Sequence, residues 1–202
     1  SQISYPGDDP GQANIRILQN NQIIISNNVL GFELTGDGKI RIKSFEDKKY
    51  GEKINFNSTP IFTVELDNNG IVTSDEFIMK KPPVVSDIRG DQASVSYINK
   101  LDGKKCSADF ENKELGISVH WESHLRNGSN YVRQILTFTS EKTTKIRSIK
   151  LIQIPINTGA ERAGILDGVP MTYKNMFFAI EYPLSKIELD NADLTAVLPR
   201  SN

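Results

Sequence analysis

The chain has 202 residues, a little more than one average domain, and 24 lysines and arginines against 25 aspartates and glutamates give a net charge of −1. Charges of both signs are dispersed along it, which speaks against a nucleic-acid partner, since a duplex binder concentrates positive charge to displace counterions. A hydrophobic share of 38% with 24% charged residues is the balance of a folded domain, not of a disordered chain.

No run approaches the roughly 18 to 20 apolar residues of a membrane span. The opening residues, Ser1 to Gly11, carry neither a basic segment nor the apolar stretch of a signal peptide. The single cysteine, Cys106, excludes an internal disulfide and a cysteine-rich metal site. It reads as a small strand residue and not as a nucleophile, because no neighbouring histidine or helix start lowers its pKa.

Twenty-four isoleucines and ten valines against eight alanines favour strands, where β-branched side chains fit the pleated surface. In chain order the alternation predicts strands at Gln22–Ser26, Leu30–Leu34, Ile40–Phe45, Ile61–Leu66, Ile71–Ile78, Gln92–Asn99, Gly116–Leu125, Tyr131–Thr139, Arg147–Pro155, Met176–Tyr182 and Lys186–Leu189. Turn pairs that tolerate positive φ fall between them, including Asn20-Asn21, Asp37-Gly38, Asp102-Gly103, Asn127-Gly128 and Asp167-Gly168. No segment carries a sustained 3.6-residue apolar repeat, so helix is limited to short turns near Phe45–Gly51 or Ala160–Leu166. The prediction is an all-β fold, a large antiparallel two-sheet sandwich with few or no helices. Residues 1–13 read as a flexible N-terminal segment, 14–192 as a single domain and 193–202 as a linker-like end.

The strand from Gly116 to Arg126 is the most informative. Ile117, Val119, Trp121 and Leu125 alternate with Ser118, His120, Glu122, His124 and Arg126, so one face is core and the other polar. Both histidines of the chain share the polar face with a carboxylate and a guanidinium. Residues i and i+4 of a strand stand about 13 Å apart at a rise of about 3.3 Å, so His120 and His124 can barely converge on one zinc at about 2.0 Å. The comfortable pairs, His120 with Glu122 or Glu122 with His124, offer only two ligands. No metal site is therefore assigned. The face reads as an inter-strand polar ladder, with a sugar-contacting surface made by His120, Glu122, His124 and Arg126 as the functional alternative.

Trp121 could serve as a stacking platform for a sugar ring, but its alternation places it in the core. Carboxylate pairs such as Asp8-Asp9, Glu46-Asp47 and Asp75-Glu76 sit in turn-like segments, where solvation explains them. They do not define the facing pair that a glycosidase needs. Serine-triad, P-loop and dinucleotide signatures are absent, and no cofactor is implied.

The run Trp121-Glu-Ser-His-Leu-Arg-Asn-Gly-Ser-Asn-Tyr-Val-Arg-Gln-Ile-Leu-Thr-Phe138, then Ile146–Pro155, then Asp167-Gly-Val-Pro170 leading into Asn175-Met-Phe-Phe-Ala-Ile-Glu-Tyr-Pro-Leu184, resembles the N-terminal β-supersandwich of large secreted bacterial glycoside hydrolases. These are of the endo-α-N-acetylgalactosaminidase-like or α-galactosidase-like kind. The early segment Ile23–Asp47 is similar to the opening hairpins of such domains. That fold is similar to galactose mutarotase, whose catalytic histidine and glutamate match no motif here: His120 and His124 lie on one strand, and Glu122 and Glu181 have no corresponding context.

The resemblance implies a non-catalytic accessory domain that braces a downstream catalytic domain of the same polypeptide and can contribute to glycan binding. It also implies a secreted, periplasmic or cell-surface location. A free-standing carbohydrate-binding module and a mutarotase-like epimerase are the alternatives. Within the block from Asn175, Phe178 and Ile180 share one strand face and Phe177 and Ala179 the other. The expectation is a strand covered on both faces, at the sandwich centre or beneath a neighbouring domain.

Overall fold

The computed structural model describes residues 7–36, 38–68, 70–141, 146–155, 161–162, 171–173, 176–181, 186–189 and 193–199. They form an all-β fold of antiparallel sheets without a helix of seven or more residues. In chain order the strands are β1 (Asn14–Ile17), β2 (Ile23–Ser26), β3 (Leu30–Thr35), β4 (Arg41–Asp47), β5 (Glu52–Pro60), β6 (Thr63–Leu66), β7 (Ile71–Thr73), β8 (Ile78–Met79) and β9 (Val84–Ile88). They continue as β10 (Gly103–Asn112), β11 (Ile117–Arg126), β12 (Arg133–Ser140), β13 (Ile146–Pro155), β14 (Glu161–Arg162), β15 (Met171–Tyr173), β16 (Met176–Phe178), β17 (Lys186–Leu189) and β18 (Asp193–Pro199). Two short 3-10 turns, Ser74–Glu76 and Tyr97–Lys100, interrupt them.

These strands fall into four hydrogen-bonded sheets. One is the meander β1-β2-β3-β4-β5, and a second runs β12-β11-β10-β8 with β9 also paired to β10. A third runs β17-β18-β13-β6-β7, and β14-β15-β16 form a small fourth. The isoleucine alternation drives the meander: Ile23 and Ile25 of β2, Leu34 of β3 and Ile54 of β5 are all essentially sealed from solvent. Asn21 and Gly38, with φ of 58° and 68°, supply left-handed positions in its β1–β2 and β3–β4 turns.

A single core joins the sheets. Phe62, just before β6, stacks edge-on against both Phe77 and Phe138 of β12, each at 5.2 Å between ring centres. Phe178 of β16 sits 6.1 Å from Phe45 of β4 and 6.2 Å from Phe56 of β5. These edge-to-face pairs add to the burial of the rings themselves.

Several expectations are corrected. Gln92–Asn99 is not a strand: it is a turn followed by the 3-10 turn at Tyr97, and Val95 is fully exposed. Its apolar side chains alternate, but among the described residues no strand pairs with it. Ile71–Ile78 is divided by the Ser74–Glu76 turn. Strands β1, β5, β9, β10, β14 and β15 were not anticipated. Asp193–Pro199, read as linker-like, is instead β18, paired with both β13 and β17. Phe45–Gly51 contains no helical turn: Phe45 to Asp47 complete β4 and a tight turn follows. In the block from Asn175, Met176 is buried while Phe177 is 72% exposed, so this strand is covered on one face and not on both. The Asp167–Pro170 turn lies outside the described residues, as does most of Ala160–Leu166.

Residues 7–13 follow a defined course. Asn28 N donates to Pro10 O at 3.0 Å and Gly128 N to Gly11 O at 2.8 Å. Ala13 N donates to Asn127 Oδ1 at 2.9 Å and Asn27 Nδ2 to Ser129 O at 2.6 Å. The segment thereby ties the β2–β3 turn of one sheet to the β11–β12 turn of another.

Candidate functional site

Strand β11 lies between β10 and β12, with Lys105 opposite His124, Ser107 opposite Glu122 and Asp109 opposite His120 on one side. On the other, Thr137 stands opposite His120, Ile135 opposite Glu122 and Arg133 opposite His124. The period of two sends Cys106, Ala108, Phe110, Val119, Trp121 and Leu125 into the core, all at most 5% exposed. It brings Lys105, Asp109, His120, Glu122 and His124 together on the opposite face.

Glu122 is the hub. Oε1 accepts from Lys105 Nζ and lies 3.4 Å from His120 Nε2, while Oε2 lies 3.0 Å from His124 Nε2. Burial works to raise its pKa, but the hydrogen bonds from Lys105 and His124, the Lys105 charge and His120 prevail and hold it at about 2. His120 Nδ1 lies 2.6 Å from Asp109 Oδ1. That contact above all, joined by Glu122, raises the His120 pKa against a smaller effect of burial. His124 behaves oppositely: burial, aided by the Lys105 and Arg126 charges, lowers its pKa despite Glu122.

The two imidazoles thus grip one carboxylate from either side along the strand. Among the described residues no group of three histidine, cysteine or acidic side chains has a metal-binding arrangement. Of the four residues read as sugar-contacting, Glu122 and His124 have side chains only 15% and 14% exposed. Arg126 Nη1 is spent on the carbonyl oxygens of Leu101 and Asn99. His120, at 45%, is the one that opens onto a cleft.

That cleft has a volume of about 290 Å3 and is lined by His120 and Asp109, the hydroxyls of Ser118, Thr137 and Thr139, and Lys80 and Lys81 at its margin. Phe110 and Val119, whose side chains turn into the core, also border it. Asp109, Thr137 and the lysines were not foreseen. The signal for Asp109 was present, since Lys105, Ser107, Asp109 and Glu111 alternate with Cys106, Ala108 and Phe110. The only β-favouring side chain among these is Phe110, so the segment did not read as a strand.

Trp121 is not part of the surface. It is fully buried, and its indole nitrogen is satisfied by Gln134 of β12 at 2.9 Å. Glu181, considered as a partner for the histidines, pairs with Arg133 instead. Cys106 is fully buried, and burial pushes its thiol up to about 12, which leaves it without thiolate at neutral pH.

No protein-family model matches the chain, and no curated protein matches it in sequence.

Proposed function

We propose that this chain is a non-catalytic accessory domain of a carbohydrate-active enzyme, a glycoside hydrolase, built as a supersandwich of galactose mutarotase type. In this reading it braces a catalytic domain of the same polypeptide, works outside the cytoplasm, and presents the His120 cleft to a glycan. The observation that carries the reading is the occupation of His120: one ring nitrogen faces Asp109 at 2.6 Å and the other Glu122 at 3.4 Å. A general acid or base needs a ring nitrogen directed at the substrate, whereas an imidazole held by two carboxylates is a fixed element of a binding surface. The three hydroxyls beside it suit hydrogen bonding to sugar hydroxyls. Phe177, 72% exposed beside the exposed Ala179, offers an apolar contact of the kind a neighbouring domain covers.

A mutarotase-like reading draws on the same cleft, because it holds a histidine against a carboxylate. The two are separated by polarimetry of freshly dissolved α-galactose and α-glucose with the 202-residue chain. The expected result is no acceleration over the buffer rate. Acceleration abolished by His120→Ala would replace the accessory-domain reading with an epimerase.

A further inference from the structure

Lys80 and Lys81, at the margin of the His120 cleft, also line a second cleft of about 480 Å3, together with Gly36, Gly38, Lys39 and the segment from Ile78 to Pro83. The two clefts therefore share these lysines, and the second lies in the size range of a small-molecule site.

Of the carboxylates of the second cleft, Asp75 is neutralised by Arg41, accepting from its Nε and Nη2 at 2.9 and 2.7 Å, whereas Glu76 accepts from the backbone Thr73 N at 2.8 Å and keeps its charge. Lys80 pairs with Glu111 at 3.1 Å yet keeps 44% of its side chain exposed. Lys39 and Lys81 are exposed and make no ion pair among the described residues. Between these cations lie Ile78, 65% exposed, and the exposed Pro82. Among the described residues the second cleft thus sets Lys39, Lys80 and Lys81 against the charge of Glu76, beside apolar surface, and the first has hydroxyls and the Asp109–His120 pair.

We propose that the two clefts together bind an acidic polysaccharide. The carboxylates or sulfates of such a chain pair with Lys39, Lys80 and Lys81, the C–H faces of its rings lie against Ile78 and Pro82, and its hydroxyls reach Thr137, Thr139 and Asp109. A ligand that is both anionic and rich in hydroxyls satisfies both clefts, whereas an acidic peptide or a polyphosphate satisfies only the cationic one. The proposal rests on the carbohydrate reading above and narrows its substrate class.

The test is calorimetric titration of the 202-residue chain with oligogalacturonate, chondroitin sulfate and neutral β-1,4-galactan, in about 50 and about 500 mM salt, with polyglutamate and polyphosphate as further probes. At least one acidic glycan is expected to bind about ten-fold or more tightly than the neutral one, with affinity falling as salt screens the lysines. Binding of the galacturonate alone identifies a carboxylate site, and binding of the sulfated chain alone a sulfate site. The double substitution Lys39→Ala with Lys81→Ala should cost about ten-fold or more, while Lys49→Ala, which removes one positive charge elsewhere, changes nothing. Equal binding of the neutral glycan, unaffected by the double substitution, overturns acidic specificity and leaves the carbohydrate reading standing. If no glycan binds, both fail. Equally tight binding of polyglutamate or polyphosphate reduces the site to a general polyanion surface and also overturns the proposal.

Discussion

The indole of Trp121 and the side-chain amide of Gln134 meet at 2.9 Å across the β11–β12 ladder, two residues out of alignment. Trp121 stands opposite Leu136 and Gln134 opposite Ser123, so the bond is a diagonal one on the core face. It removes the cost of burying the only polar atom of a ring that is sealed from water.

Trp121→Ala should therefore destabilise the fold by about 3 to 5 kcal/mol, as large aromatic deletions in cores do. Gln134→Leu, which strands the indole N–H, should cost about 1 to 3 kcal/mol. Chemical denaturation followed by tryptophan fluorescence checks the second variant and circular dichroism the first. Native emission at the wavelength of free tryptophan with ready iodide quenching would show the ring exposed.

The two histidines should titrate in opposite directions from the ordinary value of 6.5. His120, raised by Asp109, contributes stability that is fully present below about 6.5 and is lost as pH rises through its folded value. His124, lowered by burial, contributes stability that is present above about 6.5 and is lost as pH falls through its folded value. With only two histidines in the chain, imidazole NMR resolves both. Asp109→Asn should bring the His120 midpoint down and leave that of His124 nearly unmoved. Coincident midpoints in the native chain would contradict the arrangement.

Gly103 begins β10 where the backbone of β11 comes close. A β-carbon there would lie 2.4 Å from Leu125 O and 2.8 Å from Arg126 Cα, and neither backbone atom can swing aside. Gly103→Ala should cost about 1 to 3 kcal/mol through overpacking, read as a lower midpoint in urea. An unchanged midpoint would mean that the β10–β11 ladder opens at this end without penalty.

Cys106 should resist thiol reagents until the chain unfolds. Its sulfur is fully buried and its pKa is pushed up to about 12, so both access and thiolate are lacking. Reaction with a disulfide reagent in native buffer should track global unfolding, accelerating sharply across the denaturant transition. Rapid labelling without denaturant would place the thiol at the surface.

The sequence made β11 legible because large apolar residues occupy every inward position from Ile117 to Leu125 except Ser123, with polar ones between them. It left β10 illegible because Cys106 and Ala108 are small and the outward residues are charged. What makes that segment a strand is its pairing with β11 on one side and with β8 and β9 on the other, information that lies elsewhere in the chain. The same gap limited the site. His120, Glu122 and His124 could be assigned to one face from their spacing alone, but Lys105 and Asp109, which set their charge states, came into view only with β10. Gln92–Asn99 shows the converse, since alternating residues without a neighbour to pair with do not make a strand.

The N-terminal strap has a consequence for remodelling the molecule. Hairpin turns are ordinarily where extra residues are accepted most readily, and the tip of the β4–β5 turn at Tyr50–Gly51 fits that expectation, whereas Lys48 before it is bonded to Asn27 O and Val29 O. The turns at Asn27–Val29 and Asn127–Ser129 do not, because each is hydrogen-bonded to the other or to residues 10–13 between them. A loop grafted into either one would unfasten two sheets at once, so a display scaffold made from this domain should carry its inserts at the β4–β5 tip and keep residues 10–13 intact.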